Sequence, residues 1–260
     1  MSTTMRDQEE HVIGAAPAGA KDERAAAQAV QQMFDEISPR YDLLNHVLSM
    51  NVDRLWWRRA ARSFRSALQK QDARALDLCC GTGDMARALR KQAANATIVG
   101  VDFARGMLKR GGAKLHEHNI APVGGDALRL PFPDQAFDLV VSAFGFRNLA
   151  NYDAGLREIH RVLRAGGELG ILDFSEPGGL LGKVYRFYFR NVLPKIGAAL
   201  SGVSGPYSYL PASVSRFPSP TDMITRMEAA GFTNAHWQRY TFGVAGLYRG
   251  VKRELHPTSS

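Results

Sequence analysis

The stretch from Ala75 to Asp84 constrains the fold more than any other part of the chain: an apolar run, Ala75 to Cys80, stops at Gly81-Thr82-Gly83, and a helical stretch from Asp84 to Gln92 follows. Strand, glycine turn and helix in that order open a β-α-β unit. The alternation then continues. Thr97 to Val101 reads as a second strand ending at Asp102, and Arg105 to Glu117 as a second helix. Ala121 to Gly125 is a weak third strand ending at Asp126, Phe137 to Ala143 a strong fourth, Tyr152 to Leu163 a helix, and Gly167 to Phe174 a fifth strand. Such alternation implies an α/β fold, a doubly wound and mostly parallel sheet covered by helices on both faces. Two last strands, Thr233 to Tyr240 and Gly243 to Gly250, sit too close in sequence to be parallel, so the last strand is expected to run antiparallel. Thr221 to Ala230, closed by Gly231, reads as the helix before them.

The remainder is organised around this sheet. Residues 1–23 lack apolar periodicity and a secretion signal and are read as a disordered tail. Residues 24–71 are helical in pattern, with Met33, Phe34, Ile37, Leu43, Leu44, Val47, Leu55, Trp56 and Trp57 as candidate buried positions; Pro39 splits them into two or more helices. Residues 177–221 interrupt the alternation as an aromatic, partly helical insertion, a candidate lid. One domain over 24–252 with a short tail at 253–260 is the expected organisation, and 260 residues suffice for it.

Composition removes several classes. No apolar run approaches the ~18 residues of a membrane span. The only cysteines, Cys79 and Cys80, are adjacent, which excludes a disulfide framework and points to a reducing, cytoplasmic setting. They read as small buried hydrophobes, and nothing spaces His and Cys as metal ligands, so no metal is expected. The net charge is +8, with seven Lys or Arg against one acid between Arg54 and Arg74 and no acid between Pro177 and Thr221. A basic balance of this kind serves nucleic acid, anionic lipid or solubility alone.

Gly81-x-Gly83-x-x-Ala86 after a strand fits a dinucleotide fingerprint, with Asp102 about 20 residues on where a ribose-binding acid belongs. The acids decide between cofactors. Asp77 in the first strand, Asp84 at the start of the helix, and Asp102 and Asp126 at strand ends are expected to face the carboxyl edge of the sheet. Carboxylates there repel a pyrophosphate. They suit S-adenosylmethionine, which carries a sulfonium, an ammonium and ribose hydroxyls but no phosphate.

Longer blocks narrow the reading. Leu76-Asp77-Leu78-Cys79-Cys80-Gly81-Thr82-Gly83-Asp84 resembles the glycine motif of class I S-adenosylmethionine-dependent methyltransferases, whose fold is Rossmann-like. Gly125-Asp126-Ala127-Leu128-Arg129-Leu130-Pro131-Phe132-Pro133-Asp134, Phe144-Gly145-Phe146-Arg147-Asn148 and Phe34-Asp35-x-Ile37-Ser38-x-x-Tyr41-Asp42-x-x-Asn45 resemble the ubiquinone/menaquinone biosynthesis C-methyltransferase family. Val192 to Gly197, Tyr207 to Val214 and Gly243 to Gly250 extend the resemblance over roughly Gln32 to Lys252.

The resemblance implies N-terminal helices, a helical lid and an enzyme that C-methylates a prenylated naphthoquinol, demethylmenaquinol to menaquinol. A ubiquinone precursor, another small-molecule or lipid substrate, and a non-catalytic assembly module of a quinone pathway stay open. Cofactor contacts carry over to Thr82, Asp102, Asp126 and Ala127, and to Ala143, where the family often has serine and a backbone contact would serve. Asp77, Gly81 and Gly83 complete the cofactor set. Arg147, Asn148 and Tyr41 are the candidates for orienting the quinol or stabilising its phenolate. Arg147 is no simple base, because guanidinium stays protonated; water or an Asp is the better proton acceptor. His160 reads as packing or surface. Peripheral contact with the inner face of the membrane is expected, no nucleic-acid partner is, and the assembly state, homo-oligomer included, stays open.

Overall fold

A computed structural model of the protein describes residues 13–15, 17, 19–38, 51–179, 182, 191 and 205–253. In chain order the elements are α1 (Glu23–Ile37), α2 (Val52–Ser63), α3 (Arg65–Leu68), β1 (Arg74–Leu78), α4 (Asp84–Arg90), β2 (Thr97–Asp102), α5 (Arg105–Glu117), β3 (Ile120–Gly124) and β4 (Phe137–Ala143). A 3-10 turn (Phe146–Asn148) follows, then α6 (Tyr152–Val162), β5 (Leu163–Phe174), α7 (Gly205–Arg216), α8 (Pro220–Ala229), β6 (Phe232–Tyr240), a second 3-10 turn (Thr241–Gly243) and β7 (Ala245–Lys252).

The strands form one sheet in the order β3-β2-β1-β4-β5-β7-β6. All pairings from β3 to β5 are parallel, β7 is antiparallel to both neighbours, and β7 alone is therefore reversed. That agrees with the fold expected from the sequence. Burial explains the order. In central β4 every residue but the last is buried, whereas β6, an edge strand, is buried only at its ends, Phe232 and Tyr240, and alternates half-buried and exposed positions between them, as a half-solvated strand must. β5 begins four residues earlier than expected, because Leu163 pairs with Phe137 across a register shift.

Strand alternation splits the core between two faces. Leu76, Leu78 and Val140 pack with Leu156, Ile159 and Val162 of α6 and Met223 and Met227 of α8. Ala75, Ile98, Leu139 and Val141 pack on the other face with Trp56, Trp57, Phe64, Met85 and Leu89. Each fully buried aliphatic on α6 contributes on the order of 1.5–3 kcal/mol. Both ends of α6 are capped: Asn151 accepts from the Ala154 amide at 2.9 Å, and Lys252 donates to the His160 and Leu163 carbonyls at 2.8 Å each. His160 sits edge-on against Phe232, in a packing role as its helix position suggested.

The N-terminal region breaks into separate helices as Pro39 implied, although Pro39, Tyr41, Leu43, Leu44 and Val47 lie outside the described residues. Leu55 is a correction. It is 51% exposed, because it falls on the arginine face of α2 and not on the Trp56/Trp57 face. Of the stretch read as a tail, residues 1–12, 16 and 18 are outside the described set, while Ala15 is buried and its amide donates to the Leu149 carbonyl at 2.7 Å. Asp22 caps α1 by accepting from the Ala25 amide. Within 177–221, residues 177–179, 182, 191 and 205–221 are described and contain α7.

Candidate active site

At the carboxyl ends of β1, β2 and β4 lies a partly open cleft, lined by the ends of these strands, the turns that follow them and α1. The turn after β1 builds its floor. β1 ends at Leu78 and not at Cys80; Cys79 takes a left-handed backbone (φ 56°), and Gly83 (φ 88°) enters α4 in a conformation that favours glycine. Phe144, at the end of neighbouring β4, is also left-handed (φ 58°). Gly145 separates the two, since a Cβ there would lie 2.3 Å from that of Cys79. Two non-glycine residues in this region, side by side at a cleft, mark backbone strain held by the surrounding fold.

Asp102 fastens the turn. Its Oδ2 accepts from the Gly81 amide at 2.7 Å and its Oδ1 from the Ala104 amide at 2.8 Å. Burial nevertheless raises its carboxyl to about 6, outweighing those bonds. Asp126 accepts from the Leu128 amide at 2.9 Å and shapes the next wall. α1 closes the cleft through Ala27, Val30, Gln31 and Phe34. Gln31 donates to the Phe103 carbonyl at 2.9 Å, and Asp35 accepts from the Gly106 amide at 2.7 Å. Asp35 thus supplies the negative cap that Ala104, at the N-cap of α5, cannot.

Of the expected cofactor residues, Gly81, Asp102, Asp126, Ala127 and Ala143 meet in the cleft wall. Asp77, Thr82 and Gly83 do not. Asp77 shares a strand face with Ala75, so its carboxylate lies beneath α4, where Oδ2 accepts from the Ala86 amide at 2.8 Å. Burial pushes that carboxyl well up. Thr82 is buried and receives Lys114 Nζ at 3.2 Å, and Asp84, expected at the edge, pairs with Lys114 and Arg87 at 3.1 Å each. These residues hold the turn from behind.

Asn148 lines the cleft; Arg147, beside it, turns away. The Arg147 guanidinium is buried against Asp173, Nη1 to Oδ1 at 3.0 Å, and also donates to the Phe144 carbonyl. Asp173 takes the Arg147 and Phe174 amides as well, at 3.1 and 2.9 Å, and burial raises its carboxyl despite the nearby cation. Arg147 further lies 5.3 Å from the Phe174 ring centre. Asn148 Oδ1 accepts from the Tyr209 hydroxyl at 3.2 Å. Burial pushes that phenol up to about 12, so it remains a donor at neutral pH. Phe144, Phe174 and Trp56 form a continuous aromatic cluster, with ring centres 4.6, 5.8 and 6.1 Å apart.

Sequence reasoning missed Asp173 and the particular residues, Ala27, Val30 and Gln31, by which α1 closes the cleft. Asp173 reads as one more residue of an apolar strand, and only the sheet brings it to Arg147. Asp35 stood in a recognised block without a role.

The electrostatics of the cleft are one-sided. Its described lining holds two carboxylates, Asp102 and Asp126, and no Lys, Arg or His. Such a wall fits a cationic ligand with ribose hydroxyls, as S-adenosylmethionine is, and disfavours a pyrophosphate.

The sequence profile of the ubiE/COQ5 methyltransferase family matches residues 19–252. A demethylmenaquinone methyltransferase of Deinococcus radiodurans is 50% identical over 242 residues, spanning 91% of this chain and 97% of the relative. A demethylmenaquinone methyltransferase of Thermus thermophilus is 48% identical, over 84% of this chain and 99% of the relative. Among solved structures, an SAM-dependent methyltransferase of Thermotoga maritima is similar in fold, with a TM-score of 0.60 at 18% identity, over 86% of this chain and all of that one. Its fold, its cleft and a family match over nine-tenths of its length agree: the chain belongs to the ubiE/COQ5 methyltransferase family.

Proposed function

We propose that the protein transfers a methyl group from S-adenosylmethionine to a ring carbon of demethylmenaquinol, giving menaquinol. The observation that carries this reading is the cleft wall with Asp102 and Asp126 and no cation among its described residues. The names of the two bacterial relatives support the substrate. S-adenosylmethionine, when bound, supplies an electrophilic methyl on a sulfonium.

The chain's own residues do the rest. Asp102 accepts ribose hydroxyls through lone pairs left over from its two amide bonds, and Asp126, Ala127, Gly81 and Ala143 shape the remaining wall. Asp77, Thr82 and Gly83 keep the turn in position. Asn148 faces the substrate; Tyr209 occupies its Oδ1 and the Phe144 carbonyl takes one long bond from its amide NH2 at 3.5 Å, which leaves the second N–H to donate to a quinol oxygen. That contact stabilises negative charge on the oxygen as its proton leaves and so raises electron density on the neighbouring ring carbon. Arg147 is a positioning residue, held by Asp173 and holding the turn that carries Asn148. Tyr41, outside the described residues, is a second substrate contact in this proposal. A quinol with a prenyl tail resides in lipid, so the enzyme works at a membrane surface; no helix among the described residues is long and apolar enough to cross one. The 177–221 insertion, with Tyr185, Phe187, Tyr188 and Phe189 outside the described residues, admits the tail in this reading.

Incubation with labelled S-adenosylmethionine and reduced demethylmenaquinone should yield labelled menaquinol, identified by mass. Label appearing only in a benzoquinol precursor, or in neither, would overturn the assignment.

A further inference from the structure

We propose that the solvent face of α2 and the turn between β6 and β7 form a docking surface for an anionic lipid bilayer. The proposal rests on the reading above, in that a lipid quinol gives the enzyme reason to touch a bilayer, but the surface is argued from its own features.

Helical spacing puts Leu55, Arg58, Arg59 and Arg62 on one stripe, at i, i+3, i+4 and i+7, and all four are exposed. The opposite stripe, Trp56, Trp57, Ala60 and Ala61, is buried, and so is Asp53, the only acid of the helix. The outward face is therefore cationic with an apolar residue at its end. The Trp56 indole donates to Thr241 Oγ at 2.8 Å and ties α2 to the β6–β7 turn. At the tip of that turn stands Phe242, 78% exposed, with Arg239 exposed at the end of β6.

Phe242 is unfavourable twice over. Its backbone is left-handed (φ 56°, ψ 14°), where glycine or asparagine would be at ease, and its ring packs too little to offset that cost. An aromatic ring held out in this way, between arginines, matches the interface of an anionic bilayer: the ring enters the acyl boundary while the guanidinium groups meet phosphates. Arginines with an exposed ring would also suit single-stranded nucleic acid, whose bases stack on such rings; the exposed aliphatic Leu55 favours the bilayer.

The location fits. Because β7 is reversed, the turn lies at the carboxyl edge of the sheet, with Tyr240 opposite Ala245 and Ala245 opposite Phe174. Ser175 fixes it there by donating to the Gly243 carbonyl at 2.7 Å. From Phe174 the aromatic cluster leads to Phe144 in the cleft wall. A bilayer seated on Phe242 would thus face the apolar flank of the active site.

The test is flotation of the full chain with vesicles of phosphatidylglycerol and phosphatidylethanolamine against pure phosphatidylcholine. The wild type should float with the anionic vesicles and lose binding as salt rises. Arg58→Ala with Arg62→Ala should weaken partition about thirtyfold, about fivefold per arginine. Phe242→Asn suits the backbone, should leave Tm unchanged, and should weaken partition about tenfold. No preference for anionic vesicles, unchanged partition of both variants, tighter binding to RNA than to vesicles, or a lower molecular mass of Phe242→Asn in solution would each overturn the proposal. Both variants should methylate a water-soluble, tail-less naphthoquinol at the wild-type rate. A wild type that floats but never methylates that quinol would refute the proposed function and leave the docking surface standing.

Discussion

Acidifying the solution from pH 7 to pH 5 should loosen the cofactor through Asp102 alone. Burial holds this carboxyl at about 6, against an ordinary value of 3.8, and only its ionised form accepts hydroxyl hydrogen bonds on both oxygens in addition to its two amides. If the ligand binds only that form, the apparent Kd rises by about tenfold at pH 5 and stays nearly flat above pH 7. The assay is calorimetric titration of S-adenosylhomocysteine, repeated with Asp102→Asn. That variant should bind more weakly at pH 7, by about 1–3 kcal/mol, and show no rise toward pH 5. Stability has the opposite sign. A carboxyl with a raised folded-state pKa contributes stability that is complete below its unfolded value and is lost as pH rises through about 6. The ligand-free wild type should therefore gain Tm relative to Asp102→Asn on going from pH 7 to pH 5, while losing affinity. An affinity independent of pH over this window, or an equal pH dependence in Asp102→Asn, would refute the reasoning.

Arg147→Ala should cost about 3–5 kcal/mol in denaturant unfolding, because it leaves Asp173 buried without its cation; Arg147→Met with Asp173→Leu should recover much of that stability but not turnover, and recovery of both would show Arg147 to be structural only. Gly145→Ala should destabilise by about 1–3 kcal/mol through the 2.3 Å overlap with Cys79. Adding Cys79→Gly should reverse this, removing the clashing Cβ and a left-handed penalty of about 1–2 kcal/mol; thermal melts that fail to show rescue would place the conflict elsewhere. Phe187→Ala with Tyr188→Ala should depress kcat/KM on long-prenyl quinols more than on a tail-less analogue, and equal losses would remove the tail from their role.

The sheet was legible because its signals are local and repeated. Runs such as Phe137–Ala143 and turns such as Gly81-Thr82-Gly83 announce a β-α alternation whatever lies around them. The reversed β7 followed from the shortness of its hairpin. The site was legible only in part. Asp102 ends a parallel strand and Asp126 follows one by two residues, so both had to reach the carboxyl edge, whereas Asp77 is the penultimate residue of its strand and points under α4. Arg147 looked like a substrate residue because its motif is polar beside aromatics. Its partner Asp173 is 26 residues away, on a strand that only sheet formation brings alongside. Leu55 shows the same limit: helical periodicity assigns a face, and tertiary docking decides which face meets the core.

The cap that Asp35 places on Gly106 spans 71 residues of sequence. During synthesis α1 emerges from the ribosome before either the strand or the helix that it will close over. It can therefore dock only after β2 and α5 have been made. In the folded enzyme α1 is held by the Asp35 and Gln31 bonds, by Glu23 accepting from Asn151 at 2.7 Å, and by buried Ala26 and Val30, and none of these is a strand pairing. A wall fastened without a strand pairing can open while the sheet stays intact, and spent cofactor can leave without unfolding the protein that held it.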